Sequence, residues 1–196
     1  MTPTREEIAY RVFGAALLAR FDARGMEYFD ESPEAALRSF FAAVLVAPAF
    51  IVISLLSLTG SGATIDQAAF FVTLVFALYY TLLWVVSPVI VYRVCQVIGR
   101  ENAFFRFLSA NNWASVITLH LSLVIAILKS IGAFPEALVT LLFLAVFGYV
   151  LAYQWFIARH GLDVSPLAAV GFVALQFVIH FMIESIIVGL VFQPAG

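Results

Sequence analysis

PLAAVGFVALQFVIHFMIESIIVGLVF, residues 166–192, is a run of 27 residues with one acid and no lysine or arginine. At about 1.5 Å of rise per residue, an all-helical segment of this length crosses a hydrocarbon core of roughly 30 Å with tilt to spare. Its polar residues are Gln176, His180 and Glu184, each four positions from the next. That spacing puts an amide, an imidazole and a carboxyl on one helical stripe. Such groups are costly inside a membrane unless something receives them. The rest of the chain is therefore expected to fold so that other helices cover this stripe.

The whole composition agrees. Of 196 residues, 64% are hydrophobic and only 11% charged, and the mean hydropathy is +1.06. A soluble domain usually carries about 25% charged residues, so this chain cannot clothe a water-facing surface. The expected class is all-α, a polytopic transmembrane bundle. A net charge of -2 argues against nucleic acid as a partner. The single cysteine, Cys95, excludes an internal disulfide and any multi-cysteine metal site. No GxSxG, HExxH, GxGxxG or P-loop pattern occurs, so no catalytic residue, metal or cofactor is assigned. The charged start, with Arg5, Glu6, Glu7 and Arg11, does not read as a signal peptide.

In chain order, residues 1–38 form the one substantially charged region. Thr4 followed by Glu6 and Glu7 reads as a helix start, with acids at the positive end of the dipole. Ile8, Val12, Ala15, Ala16 and Ala19 then share a face, which suits an amphipathic helix lying on the membrane surface; the alternative is a cytosolic extension packed against the span ends. Arg24-Gly25 is expected to end or bend it. Ser32-Pro33-Glu34 is a second helix start, with a capping hydroxyl, proline in the first turn and an acid. Five spans are expected, at about 40–58, 66–92, 112–128, 136–158 and 166–192. Thr64 or Asp66 should open the second span, and Pro48 and Pro88 should kink the first and second. Residues 99–112 read as an interfacial helix before the third span. Ala145, Gly148 and Ala152 offer a small-residue face for close helix contact. Gly161 reads as the cap of the fourth span.

Basic residues set an orientation. Arg5, Arg11, Arg20, Arg24 and Arg38 precede the first span; Arg93, Arg100 and Arg106 lie between the second and third; Arg159 lies between the fourth and fifth. Against these nine, Lys129 stands alone on the other side. The positive-inside rule then places the N-terminus in the cytoplasm and the C-terminus outside, with a bacterial inner membrane as the expected location. All the arginines named except Arg159 are expected to contact lipid headgroups.

Depth along parallel spans suggests a polar ladder. His120 and His180 fall near the midplane of the third and fifth spans, and Glu184 lies about 6 Å beyond His180, toward Lys129. Four readings follow from such a cluster. It can be buried polar packing in a scaffold, assembly factor or accessory subunit that binds another membrane protein or itself. It can be a proton- or cation-coupled permease or channel built on a His/Glu pair. The two histidines can be axial haem ligands. An intramembrane enzyme is the fourth, for which neither paired acids nor a nucleophile–base set is present.

The layout, together with YRVCQVIGRENAFFRFLSANNWASV between the second and third spans, resembles the YIP family of five-span membrane proteins. That resemblance covers residues 35–192. It implies a non-enzymatic role in membrane organisation or partner recruitment and transfers no catalytic residue.

Overall fold

The computed structural model describes residues 2–60 and 69–192. In chain order it has α1 (Arg5–Ala19), a 3-10 helix (Ala23–Tyr28), α2 (Pro33–Ser39), α3 (Phe41–Gly60), α4 (Ala69–Val97), α5 (Glu101–Ser130), α6 (Glu136–Gly161) and α7 (Pro166–Phe192). No strand occurs among the described residues. Five segments are long and apolar enough to cross a membrane: Pro33–Leu58, Phe71–Val97, Glu101–Ser130, Glu136–Gly161 and Pro166–Ile187. The chain is a multi-pass, all-α helical bundle.

Boundaries moved where local polarity had suggested a break. Residues 101–112 do not form a separate interfacial helix; they are the first turns of α5. Phe104, Phe107 and Leu108 are buried there against the rest of the protein, so the apolar residues interleaved with Arg106 face a core and not a lipid surface. Helix α4 likewise continues to Val97, five residues past the expected end. Both α3 and α4 run on through Pro48 and Pro88. The expected start of the second span at Thr64 or Asp66 lies outside the described residues.

Helix α5 is the axis. It packs most extensively on α3 and α6, and also carries α1, α2 and, more lightly, α4. Helix α7 packs instead on α4 and α6. The main buried cluster sits at the arginine-bearing end, where Leu18, Phe29, Cys95, Phe107, Trp113, Tyr153 and Leu162 meet. A second seam of Val75, Ile179, Ile183 and Ile187 joins α4 to α7. The spacing of those three isoleucines, four and four, is one stripe of α7.

The N-terminal segment begins as its sequence predicts. The Thr4 hydroxyl accepts from the Glu7 amide at 3.2 Å, and the Ser32 hydroxyl accepts from the Ala35 amide at 3.2 Å. Of the two placements open to it, the segment takes the one packed against the span ends. The small face of α1, including Gly14, Ala15 and Leu18, is buried in the protein and not against lipid. Tyr153 and Tyr149 of α6 donate to the carbonyls of Ala15 and Ala19 at 2.7 and 2.5 Å, anchoring α1 across the ends of the spans. A face of alanine and glycine has too little bulk to bury much area in lipid, but it lets two backbones approach closely. Helix α1 also stops at Ala19, before Arg24-Gly25, with Phe21 taking the left-handed turn position at φ 58°. The Phe21 ring packs edge-on to Tyr149 and Phe156.

Gly25 serves close approach. A Cβ there would lie 2.7 Å from the Gly14 carbonyl oxygen, and one on Gly14 would lie 2.4 Å from Tyr28 Cβ. Gly161 does not cap α6. Gly161 is the last residue of the helix and Leu162 the cap, Asp163 takes the left-handed position at φ 51°, and a Cβ on Gly161 would come within 3.0 Å of Phe107 Cα. The Ala145, Gly148 and Ala152 face is exposed, and among the described residues nothing lies within 4 Å of a Cβ built on Gly148.

The arginines are largely engaged inside the protein. Arg11 corrects the expectation of headgroup contact: it is buried, donating to Asp30 at 2.5 Å and to the Tyr28 carbonyl. Arg38 pairs with Glu7 at 3.2 Å, Arg100 with Asp163 at 3.2 Å, and Arg106 with Glu31 at 2.8 Å. Arg106 also donates to the Gly161 carbonyl at 3.3 Å, at the negative end of α6. Arg24 pairs with Asp22 at 2.6 Å; hydrogen bonds from Arg24 hold the Asp22 carboxyl below the usual carboxylate range. Of the expected headgroup set, Arg5, Arg20 and Arg93 are exposed and form no ion pair with an acid among the described residues.

These glycine contacts are testable. Gly25→Ala should lower stability by about 1–3 kcal/mol, the usual range for overpacking, and expose residues 1–38 to protease while the spans stay intact. Gly148→Ala, with open space around it, should leave thermal stability in detergent unchanged.

Candidate functional site

Polar side chains from the spans converge on a central chamber of about 220 Å³, walled by all five long helices. Helix α7 supplies Gln176 and His180, one turn apart. Helix α4 supplies Tyr80, Trp84 and Ser87, and α5 supplies Asn111, Ser115 and Thr118. Both of these sets follow an i, i+4, i+7 spacing, which places each on a single inward stripe. Asn112, Tyr153 and Gln154 add further polar lining, and Phe50 of α3 adds an apolar wall.

On the α3–α4 side the wall is built by aromatic side chains. The Phe50 and Tyr80 ring centroids are 4.7 Å apart, and Trp84 lies 6.1 Å from Tyr80 and 6.3 Å from Phe40. The Tyr80 hydroxyl donates to the Ala43 carbonyl of α3.

Several lining groups are already committed. Asn112 Nδ2 donates to Ser39 Oγ at 2.9 Å, and Ser39 Oγ donates to the Ala36 carbonyl at 2.6 Å. This buried relay ties α5 to α2. Ser115 Oγ donates to the Asn112 carbonyl at 2.6 Å, which leaves its oxygen free to accept. Gln176 is different. It is 3% exposed, and its Nε2 has no hydrogen-bond partner among the described residues. A buried amide N–H₂ without a partner costs on the order of 1–3 kcal/mol. It lines the chamber, so a ligand or water held there can accept from it.

Among the described residues, no carboxylate, ammonium or guanidinium lines the chamber. Its chemistry is amide, hydroxyl and one imidazole against aromatic and aliphatic surface. An ion with a full charge would be poorly compensated in it, whereas a small neutral molecule with several donors and acceptors would be matched.

The expected ladder does not assemble. Gln176 and His180 reach the chamber, but His120 is exposed and its Nδ1 lies 2.6 Å from the Val116 carbonyl of its own helix. Glu184 is exposed and Lys129 lines a different groove. The reason is the packing order: α5 rests on α3 and α6, and α7 on α4 and α6, so equal depth does not make the third and fifth spans extended neighbours. His120 and His180 are therefore not a facing pair for a haem iron. No group of three or more His, Cys, Asp or Glu residues is arranged to hold a metal among the described residues.

Asn112 is a packing group, bonded to Ser39. Asn111 and Gln154 line the chamber. The signal that marks α5 as a lining helix is the spacing of Asn111, Ser115 and Thr118. No known family, curated protein or solved structure matches this chain.

Asn112→Leu should break the relay to Ser39 and lower thermal stability in detergent by about 0.6–1.7 kcal/mol, the range of interhelical hydrogen bonds within membranes. Gln176→Leu, which removes an unpaired buried amide, should be neutral or stabilising in the same assay.

Proposed function

We propose that this multi-pass membrane protein binds a small neutral polar solute inside its bundle and serves as a permease or channel for it, without chemical turnover. One observation carries the reading: a chamber contributed by every spanning helix, uncharged in its lining among the described residues, with the Gln176 Nε2 buried there and without a partner among them. This departs from a His/Glu ion-coupled design, because His180 lines the chamber and Glu184 does not. The arginine distribution supports an orientation with the N-terminus in the cytoplasm and the C-terminus on the far side.

A second reading, an accessory subunit or scaffold, is favoured by Glu184. This carboxyl sits eight residues inside the end of α7, about 12 Å by helical rise. It is exposed, and no ion pair holds it among the described residues. A carboxyl facing outward at membrane depth is expensive. A partner helix bearing a basic or hydrogen-bond-donating side chain at that depth would lower the cost. The layout resemblance to the YIP family points in the same direction.

One set of variants separates the two. In proteoliposomes, uptake of small neutral polyols and amides measured by light-scattering recovery should exceed that of empty vesicles. It should fall about tenfold in Gln176→Leu, the equivalent of losing 1.4 kcal/mol, and be unchanged in Glu184→Gln. The accessory-subunit reading predicts the converse: no uptake above empty vesicles, and a co-purifying membrane protein that is lost in Glu184→Leu.

A further inference from the structure

A second cavity, about 680 Å³, opens near the turn between α5 and α6, and no residue lines both it and the central chamber. Its walls are mostly apolar, with Ile53 from α3, Ile125 from α5, and Phe143 and Phe147 from α6. Among its lining residues are two opposite charges, Lys129 in the last turn of α5 and Glu136 in the first turn of α6. They are seven positions apart across a short turn, yet neither forms an ion pair among the described residues. Both are exposed.

We infer that this groove is a specific phospholipid site, for a lipid whose headgroup carries both a phosphate and a primary ammonium. The apolar wall takes acyl chain, the Lys129 ammonium meets the phosphate, and the Glu136 carboxylate accepts from the lipid ammonium. The charge pattern selects the headgroup. A purely anionic headgroup would satisfy Lys129 and set a second negative charge near Glu136. A quaternary ammonium offers Glu136 no N–H to accept from. The site's position suits the chemistry, because both charges stand at helix ends, where headgroups lie, while the aromatic wall of α6 reaches toward the hydrocarbon. Each charge also complements its own helix dipole. That role is filled by either residue alone and does not require the two to share one groove.

The test is lipid retention. The full chain is reconstituted in nanodiscs containing equal parts of phosphatidylethanolamine, phosphatidylglycerol and phosphatidylcholine. It is then re-extracted in mild detergent, and bound lipid is counted by native mass spectrometry. The wild type should retain phosphatidylethanolamine several-fold above its share. Lys129→Gln should abolish the enrichment, and Glu136→Gln should shift it toward phosphatidylglycerol. Ala126→Trp, which fills the groove from α5, should remove retained lipid of every class, with circular dichroism and elution volume confirming an intact bundle. Wild-type lipid in the bulk ratio, or an enrichment that neither Lys129→Gln nor Glu136→Gln alters, would overturn the assignment.

Discussion

Inside a bilayer, a polar side chain has only protein to turn to, and this constraint shapes the bundle. The hydrocarbon offers no hydrogen bonds, so amides and hydroxyls on long apolar helices are driven toward one another or back onto a carbonyl. The chain uses both solutions. Ser115, Ser122 and Ser185 donate to their own helices. Asn112, Tyr80 and Tyr153 reach across to other segments. Where the cross-helix stripes meet, they line the central chamber.

Tyr153 shows how the site and the scaffold are joined. Its ring lines the chamber, and its hydroxyl, fully buried, holds the Ala15 carbonyl of α1. The N-terminal segment is thus part of the same packed unit as the spans. Arg106 does comparable work in the α5–α6 corner, linking Glu31 to the last carbonyls of α6. Close approach at Gly14, Gly25 and Gly161 brings these elements near enough for such bonds. At this end of the molecule many arginines are neutralised by acids nearby, which leaves fewer free for lipid than a count of basic residues suggests.

Helix α5 explains why part of the site was hard to read in sequence. Its first turns carry Glu101 and Arg106 and look like a connection. Their apolar residues are buried by α1, α2 and α6, which come from distant parts of the chain. Composition registers the charges and has no access to the partners. The same limit applied to His120 and His180. Their depths along parallel spans could be counted, but facing one another requires a rotation and a neighbour that depth does not contain.

The sequence alone determined the class, the five apolar runs, the capped starts at Thr4 and Ser32, and the gathering of arginine at one end. These follow from local quantities: hydropathy summed over a window, capping chemistry and the placement of charge along the chain. It also marked Gln176 and His180 as one stripe, because helical periodicity is local too. Only the tertiary structure decided that the stripe faces Asn111 and Gln154 and not His120, that Glu184 faces outward, and that α1 lies on protein. Those outcomes depend on which helices are neighbours and how each is turned about its axis. Side-chain volume at a few crossings, such as Gly161 against Phe107 and the isoleucine seam of α7 against α4, settles both.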